Sequence, residues 1–304
     1  MPEINIPWLR YRIEIEVEST LMIFDALRKG YHLRTMLETV MKRQFPCKEQ
    51  DNCQICKNAK NGCEYPMLFM PQIYNKNASS KFVILPPLGN RLIFREGESL
   101  SFEIRLFCDM AQDRMFTGRF LPAIEYAGQF TGMGKWRTYK SDNYGRFKIK
   151  DVSVWSKSAW RKSTAIQAQN KLDYIPGSQS DEPLEIAFIT PVLFNRNKKP
   201  ILQPDFFDFI KGAERRIQSL METTERLTTD ELLRSVDTIS RSFKTFQIDA
   251  ARKDEMFIQG QIKISHIPDE LKFMIGYAGL THIGKGVSMG MGGFIIRKLV
   301  DDVN

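Results

Sequence analysis

The sequence predicts an α+β chain of two tandem ferredoxin-like (βαββαβ, RRM-like) domains with a cleft between them. Three observations predict it. At 304 residues the chain is long enough for two domains of about 150 residues each. Strand-like alternation and helix-like stripes follow one another in the same order in both halves. A segment also recurs half a chain later: residues 126–150 (YAGQFTGMGKWRTYKSDNYGRFKIK) and 277–298 (YAGLTHIGKGVSMGMGGFIIRK) both begin Tyr-Ala-Gly, cross a basic, glycine-studded loop and enter a strand at Gly-Arg-Phe or Gly-Gly-Phe.

In the first half, Arg10 to Val17 (RYRIEIEV) alternates polar with apolar residues, the pattern of a half-buried strand. Leu33, Met36, Leu37, Val40 and Met41 then recur at helical spacing, and strands are expected at Lys81 to Leu85, Leu100 to Phe107 and Phe147 to Val154. In the second half, Leu184 to Leu193 reads as a strand ended by Pro191, and Pro204 and Asp205 start a helix. Ile210, Ala213, Ile217, Leu220 and Met221 stripe that helix, while Lys211, Arg215 and Arg216 face elsewhere. Strands are expected again at Glu255 to Ile264 and Gly293 to Leu299. The polar junction DYIPGSQSDEP (173–183) sets the boundary. The expected domains are therefore 1–177, with a four-cysteine insertion at 47–63, and 178–304, with a glycine-rich loop at 282–293.

The composition is that of a folded globular chain, with 42% hydrophobic and 26% charged residues, which excludes a disordered, collagen-like or coiled-coil protein. A net charge of +8 points to an anionic partner, nucleic acid before membrane. No run approaches the roughly 18 apolar residues of a membrane span. The opening MPEINIPWLRYRIEIEV lacks the regions of a signal peptide, so a cytoplasmic protein is expected.

Four of the five cysteines crowd together: Cys47, Cys53, Cys56 and Cys63. In a reducing compartment this C-x5-C-x2-C-x6-C knuckle favours a structural zinc, with a redox-labile cluster or reduced thiols as the alternatives. Four thiolates would leave no open position for water, which argues against a zinc-centred nuclease. Cys108, in LFCDM, reads as a buried core thiol.

The loop from His282 to Gly293 (HIGKGVSMGMGG) places Lys285 among five glycines. Backbone N–H groups there can approach an anion without interference from Cβ, and the lysine adds a point charge, so the loop suits phosphate. It is not a P-loop, because the GK[ST] ending is missing and a strand follows. The first-half loop interleaves Trp136, Tyr139 and Tyr144 with Lys135, Arg137, Lys140 and Arg146, a pattern suited to base stacking as well as to core packing. Of the three histidines, His32 lies in the first turn of the first helix, outside the apolar stripe, where a helix N-terminus favours the neutral base. His282 opens the glycine loop, either to act on a phosphate or to order the loop. His266 reads as structural. Tyr31 could orient a nucleophile or stack on a base, and Arg28, Lys29 and Arg34 form a cluster that binds phosphate or is simply solvated.

The stretch GYAGLTHIGKGVSMGMGGFII resembles the signature glycine loop of the CRISPR-associated endoribonucleases that process precursor CRISPR RNA, in the repeat-associated mysterious protein superfamily. The knuckle followed by Tyr65 and Leu68-Phe69 resembles a cysteine-bearing branch of it. MGKWRTYKSDNYGRFKIKDV and FITPVLFNRNKKPILQPDFFDFI resemble its first-half loop and second-half opening. The resemblance implies tandem ferredoxin-like domains and repeat RNA as substrate. It implies metal-independent cleavage by the RNA's own 2′-hydroxyl, leaving 2′,3′-cyclic phosphate and 5′-hydroxyl ends, with no cofactor for catalysis and zinc only as a staple. Such chemistry needs a base, an acid and a cation for the developing charge. His32, His282, Lys285 and Tyr31 are the candidates. Gly284, Gly286, Ser288, Gly290, Gly292, Arg34, Lys135, Arg137, Lys140 and Arg146 are the expected RNA contacts. By the same resemblance, the basic stretch Ser235 to Lys253 lies near the RNA. The expected partners are precursor crRNA and a CRISPR effector complex, with no membrane. The alternative is a non-catalytic crRNA-binding subunit of such a complex.

Overall fold

A computed structural model describes residues 4–19, 21–24, 27–44, 53, 56, 63–76, 78–134, 144–156, 158–162, 168–169, 183–197, 199–221, 227–247 and 256–299. The chain divides into two compact units, one of Pro7–Gln169 and one of Met1–Ile6 with Asn170–Asn304. The expected boundary between 177 and 178 lies outside the described residues.

In the unit Pro7–Gln169, strand β1 (Trp8–Val17) buries Leu9, Tyr11, Ile13, Ile15 and Val17 and turns the even-numbered residues from Arg10 to Glu16 the other way. Helix α1 (Lys29–Gln44) lays Leu33, Met36, Leu37, Val40 and Met41 into the same core, so the expected stripe is the buried face. Lys42 and Arg43 in its last turn complement the helix dipole. β2 (Phe82–Leu85), β3 (Ser99–Phe107), a helical run α2 over 113–131, β4 (Phe147–Ser156) and β5 (Ala159–Lys162) follow. The antiparallel sheet runs β2-β3-β1-β4-β5.

The other unit repeats this plan with β6 (Leu184–Phe188), α3 (Phe206–Met221), β7 (Thr238–Gln247), β8 (Met256–Ile264), α4 (Asp269–Thr281) and β9 (Phe294–Lys298). Its sheet runs β7-β8-β6-β9. In each unit the second, third, first and fourth strands of a βαββαβ series lie side by side in that order, all antiparallel. Tyr126 and Tyr277 both fall on the helix before the last core strand. The repeat is offset by one residue between that helix and the loop, and α2 takes up the difference. Ala127–Thr131 is a π-turn in which the Gly132 N–H donates to the Ala127 carbonyl at 2.7 Å.

Three expectations are corrected. β6 ends at Phe188, short of Leu193, because the N–H groups of Ile189 and Thr190 both turn to the Gly293 carbonyl. Val192 rejoins the sheet only by a bridge to Ile258. Arg216 does not face solvent: it is buried on α3 and its Nε donates to the Thr281 carbonyl at the end of α4, at 3.2 Å. Cys108 is half-buried, at a positive φ of 58°. Within the basic stretch Ser235 to Lys253, β7 is an edge strand whose residues are mostly exposed on both faces. Among the described residues no helix is long and apolar enough to cross a membrane.

On the outward side of the first sheet, Glu103 is buried between arginines. Its carboxylate accepts from Arg10 Nε and Nη2 at 2.7 and 2.9 Å and from Arg105 Nη2 at 3.1 Å. Burial pushes this carboxyl up, but Arg105 and Arg10 outweigh it and hold the group down at about 2. Because the folded value lies below the unfolded one, the stabilisation is present above about pH 4.5 and is lost as pH falls toward 2. It amounts to about 3 kcal/mol. Glu103→Gln, which removes the carboxylate that the buried Arg105 and the half-buried Arg10 share, should lower unfolding free energy at pH 7 by roughly 3–5 kcal/mol in a denaturant titration. A loss below about 0.5 kcal/mol, the range of ordinary surface substitutions, would contradict this reading.

Candidate functional site

The glycine loop follows α4, whose C-cap is His282. It closes on itself through one hydrogen bond and is tied to the segment after β6 through three. Ile283 N–H donates to Gly292 O at 3.2 Å, Lys285 N–H to Leu193 O at 3.2 Å, Gly292 N–H to Pro191 O at 2.8 Å and Gly293 N–H to Thr190 Oγ1 at 2.8 Å. At Gly292 glycine is obligatory: φ is +74°, and a Cβ would lie 1.7 Å from the Ile283 carbonyl oxygen. Val287 is buried beneath the loop, and Met291 packs with Leu193 and Phe257.

Between these anchors, Val287–Met289 form one 3-10 turn whose first hydrogen bonds run from Met289 to Gly286 and from Gly290 to Val287. The amides of Gly286, Val287 and Ser288 precede those bonds and take no part in them. Gly284 and Lys285 are exposed and Ser288 is half-exposed, while Gly290 and Gly292 are buried in the loop's own turn. Gly284, Gly286 and Ser288 therefore sit where an anion can reach them; Gly290 and Gly292 shape the loop.

His282 has φ +58° and ψ 167°, a region that L-residues rarely adopt. Its counterpart in the other unit is Gly132, the cap of α2, with φ 73° and ψ 177°. The imidazole is 1% exposed, with Nδ1 3.1 Å from the Met291 carbonyl. Gly293 makes room for it, since a Cβ there would lie 2.8 Å from the ring. The side chain thus spans the base of the loop from within.

In the unit Pro7–Gln169, His32 lies in the first turn of α1, its N–H donating to Arg28 O at 2.9 Å. Its half-buried ring stands edge-on to Phe24 and to Tyr31, each with centroids 6.1 Å away. Tyr31 is 42% exposed. Lys29 is buried, and its ammonium donates to the carbonyls of Pro87 and Gly89 at 3.2 and 2.7 Å; burial pushes its pKa down. Arg34 pairs with Glu38 at 2.5 Å and donates to the Phe69 carbonyl at 3.1 Å, and Glu38 also accepts from the Tyr65 hydroxyl. Lys29 and Arg34 therefore fasten α1 to its surroundings.

The first-half loop closes as the second does, with Met133 N–H donating to Gly145 O at 2.9 Å. Arg146 follows at half exposure and its carbonyl accepts from Glu18 and Ser19 N–H. Lys135, Arg137, Lys140, Trp136 and Tyr139 lie outside the described residues, while Tyr144 is buried. His266 is half-buried with Nδ1 3.0 Å from Ser265 Oγ.

Of the knuckle, Cys53 and Cys63 are half-buried and Cys56 is buried, none of the three in a disulfide, and Cys47 lies outside the described residues. Tyr74 donates its hydroxyl to Cys63 O at 3.0 Å, and its pKa is raised by burial and then by the nearby Cys63, Cys53 and Cys56. Among the described residues no three His, Cys, Asp or Glu side chains are arranged to hold a metal ion. Sequence reasoning missed Thr190 and Arg216. Thr190 binds the loop and Arg216 binds the carbonyl just before it; Thr190 stands in the FITPVLF stretch and Arg216 off the apolar stripe of α3, and neither pattern signals a contact with the loop.

Comparison with known proteins follows the same division. Residues 6–176 match the AF_1859_N family model, described as an N-terminal domain, and residues 186–294 match that of the CRISPR-associated endoribonuclease Cas6. No curated protein matches the chain by sequence. Among solved structures, a partial Cas6-RT-Cas1–Cas2 complex is similar over 99% of this chain at 8% identity and a TM-score of 0.62. This chain spans 47% of that one, about half its length. A Cas6 product complex is similar over 96% of this chain and 100% of its own, at 13% identity and a TM-score of 0.55. Thermus thermophilus Cas6 is similar over 96% and 99%, at 12% identity and 0.50. Identities this low speak for the shared tandem ferredoxin-like fold. With a match over more than half of its length, the chain belongs to the AF_1859_N family, and it carries at residues 186–294 a segment that matches the CRISPR-associated endoribonuclease Cas6 family.

Proposed function

We propose that the protein is an RNA endonuclease that binds and cuts the repeat of precursor CRISPR RNA. The observation that carries this reading is the pinned glycine loop, with the amides of Gly286, Val287 and Ser288 and the exposed Lys285 inside the segment that matches Cas6. A loop held by the carbonyls of Pro191 and Leu193 and by Thr190 keeps its donors aimed without reorganisation, which suits a phosphate of bound RNA. Structural relatives described as Cas6 bound to product and to a substrate mimic support the same class of substrate.

The cut proceeds by attack of the RNA 2′-hydroxyl on the adjacent phosphate, leaving 2′,3′-cyclic phosphate and 5′-hydroxyl ends. His32 takes the 2′-hydroxyl proton: it lies at a helix start, half-exposed, beside the exposed Tyr31, which positions the ribose. Lys285, exposed on the glycine loop, pairs with a phosphate of the bound RNA, and the leaving 5′-oxygen takes its proton from water. His282, with its ring 1% exposed, orders the loop and does not exchange a proton with substrate. No metal enters the chemistry. Cys47, Cys53, Cys56 and Cys63 hold one zinc as a staple, and zinc analysis of the purified protein should return about one atom per chain, whereas a metal-free protein of unchanged stability would refute the staple.

His32→Ala should slow single-turnover cleavage of repeat RNA by roughly 10²–10⁴-fold with binding changed little. His282→Ala should instead weaken RNA binding by disordering the loop. If His32→Ala cut at the parental rate, the histidine mechanism would fail. A parent protein that binds repeat RNA and never cuts it would favour the role of a non-catalytic subunit.

A further inference from the structure

The outward face of the first sheet carries an aromatic and basic group that the nuclease reading leaves unused. Odd residues of β1 enter the core, which places Arg10 and Arg12 on the opposite face. Strand register sets Ser153 beside Arg12, Lys162 beside Ser153 and Trp160 beside Trp155, so both tryptophans and Lys162 share that face.

The two indoles meet edge to face with centroids 5.3 Å apart. The Arg12 guanidinium lies 4.0 Å from the Trp160 centroid, and that of Arg10 lies 4.8 Å from Trp160 and 5.2 Å from Trp155. Glu103 holds both arginines through their hydrogen bonds to its carboxylate. The result is a stack of planar groups with fixed orientation at the edge of the sheet. It is not sealed into a core: both tryptophans are half-buried, the Arg12 side chain is 41% exposed and Lys162 is exposed.

Two indoles and two guanidinium planes offer surfaces that any nucleobase can stack on, whatever its sequence. Lys162 and Arg12 supply the positive charge that a phosphate backbone needs beside such a platform. A stack serving only stability would gain by burying its aromatic faces, and this one leaves them partly open at the last strand, β5. We propose that Trp155, Trp160, Arg12 and Lys162 form a stacking site for one or two unpaired ribonucleotides. The site lies on the N-terminal unit, outside the segment that matches Cas6. This inference rests on the reading of the protein as an RNA binder and names a part of the RNA, an unpaired stretch, that it holds.

The test uses the full chain and a fluorescent oligouridine too short and uniform to form a hairpin. Trp160→Ala should weaken its binding roughly tenfold and Trp160→Phe by less than about threefold, since the ring, not the indole N–H, does the stacking. In parallel, an oligonucleotide carrying 4-thiouridine is photocrosslinked to the parent protein, with crosslinks expected within residues 153–162. This second arm decides the matter even where Trp160→Ala fails to fold. If the parent cuts repeat RNA but Trp160→Ala binds oligouridine as tightly as the parent, or crosslinks fall only elsewhere, this site is overturned and the nuclease reading stands. A parent protein that binds neither RNA overturns both.

Discussion

What the C-terminal unit can offer a ligand depends on one close approach of backbone to backbone. The Ile283 N–H meets the Gly292 carbonyl at a place with no room for a Cβ, and this closure sets where the intervening residues lie. The N-terminal unit has the same closure, Met133 to Gly145, where a Cβ would come within 2.0 Å of the Met133 carbonyl oxygen. Both closures sit between the second helix and the last core strand. The geometry therefore belongs to the repeated fold, and the chemistry belongs to whatever residues are inserted between its two ends.

The two copies have diverged at the cap. A glycine serves at 132, whereas a histidine at 282 takes nearly the same φ and ψ against a backbone cost of roughly 1–3 kcal/mol. The imidazole offsets that cost with its hydrogen bond to Met291 and its fit against Gly293. Arg216 and Thr190 complete the support from α3 and from the end of β6.

Legibility in the sequence followed periodicity. β1 and α1 were readable because their buried residues recur at two and at 3.6 residues, and the Tyr-Ala-Gly repeat located both loops. β7 was not, since Ile239, Phe243 and Phe246 follow no strict alternation on a strand exposed on both faces. Arg216 escaped because burial of a charge depends on a carbonyl 65 residues away. His282 was readable as the opening of the glycine loop, but not its direction: the backbone angle that turns the ring under the loop leaves no trace in residue type. Trp155 and Trp160 lie five residues apart in the sequence and become neighbours only through the turn between β4 and β5.

The central claim is that the RNA supplies its own nucleophile and the protein supplies positioning, a base and charge. The most direct measurement is single-turnover cleavage of a repeat RNA carrying one 2′-deoxyribose on the 5′ side of the scissile phosphate. The account predicts that this substrate binds as the all-ribose RNA does and is not cut at that phosphate. Cleavage of the deoxy-substituted RNA at the parental rate would contradict it.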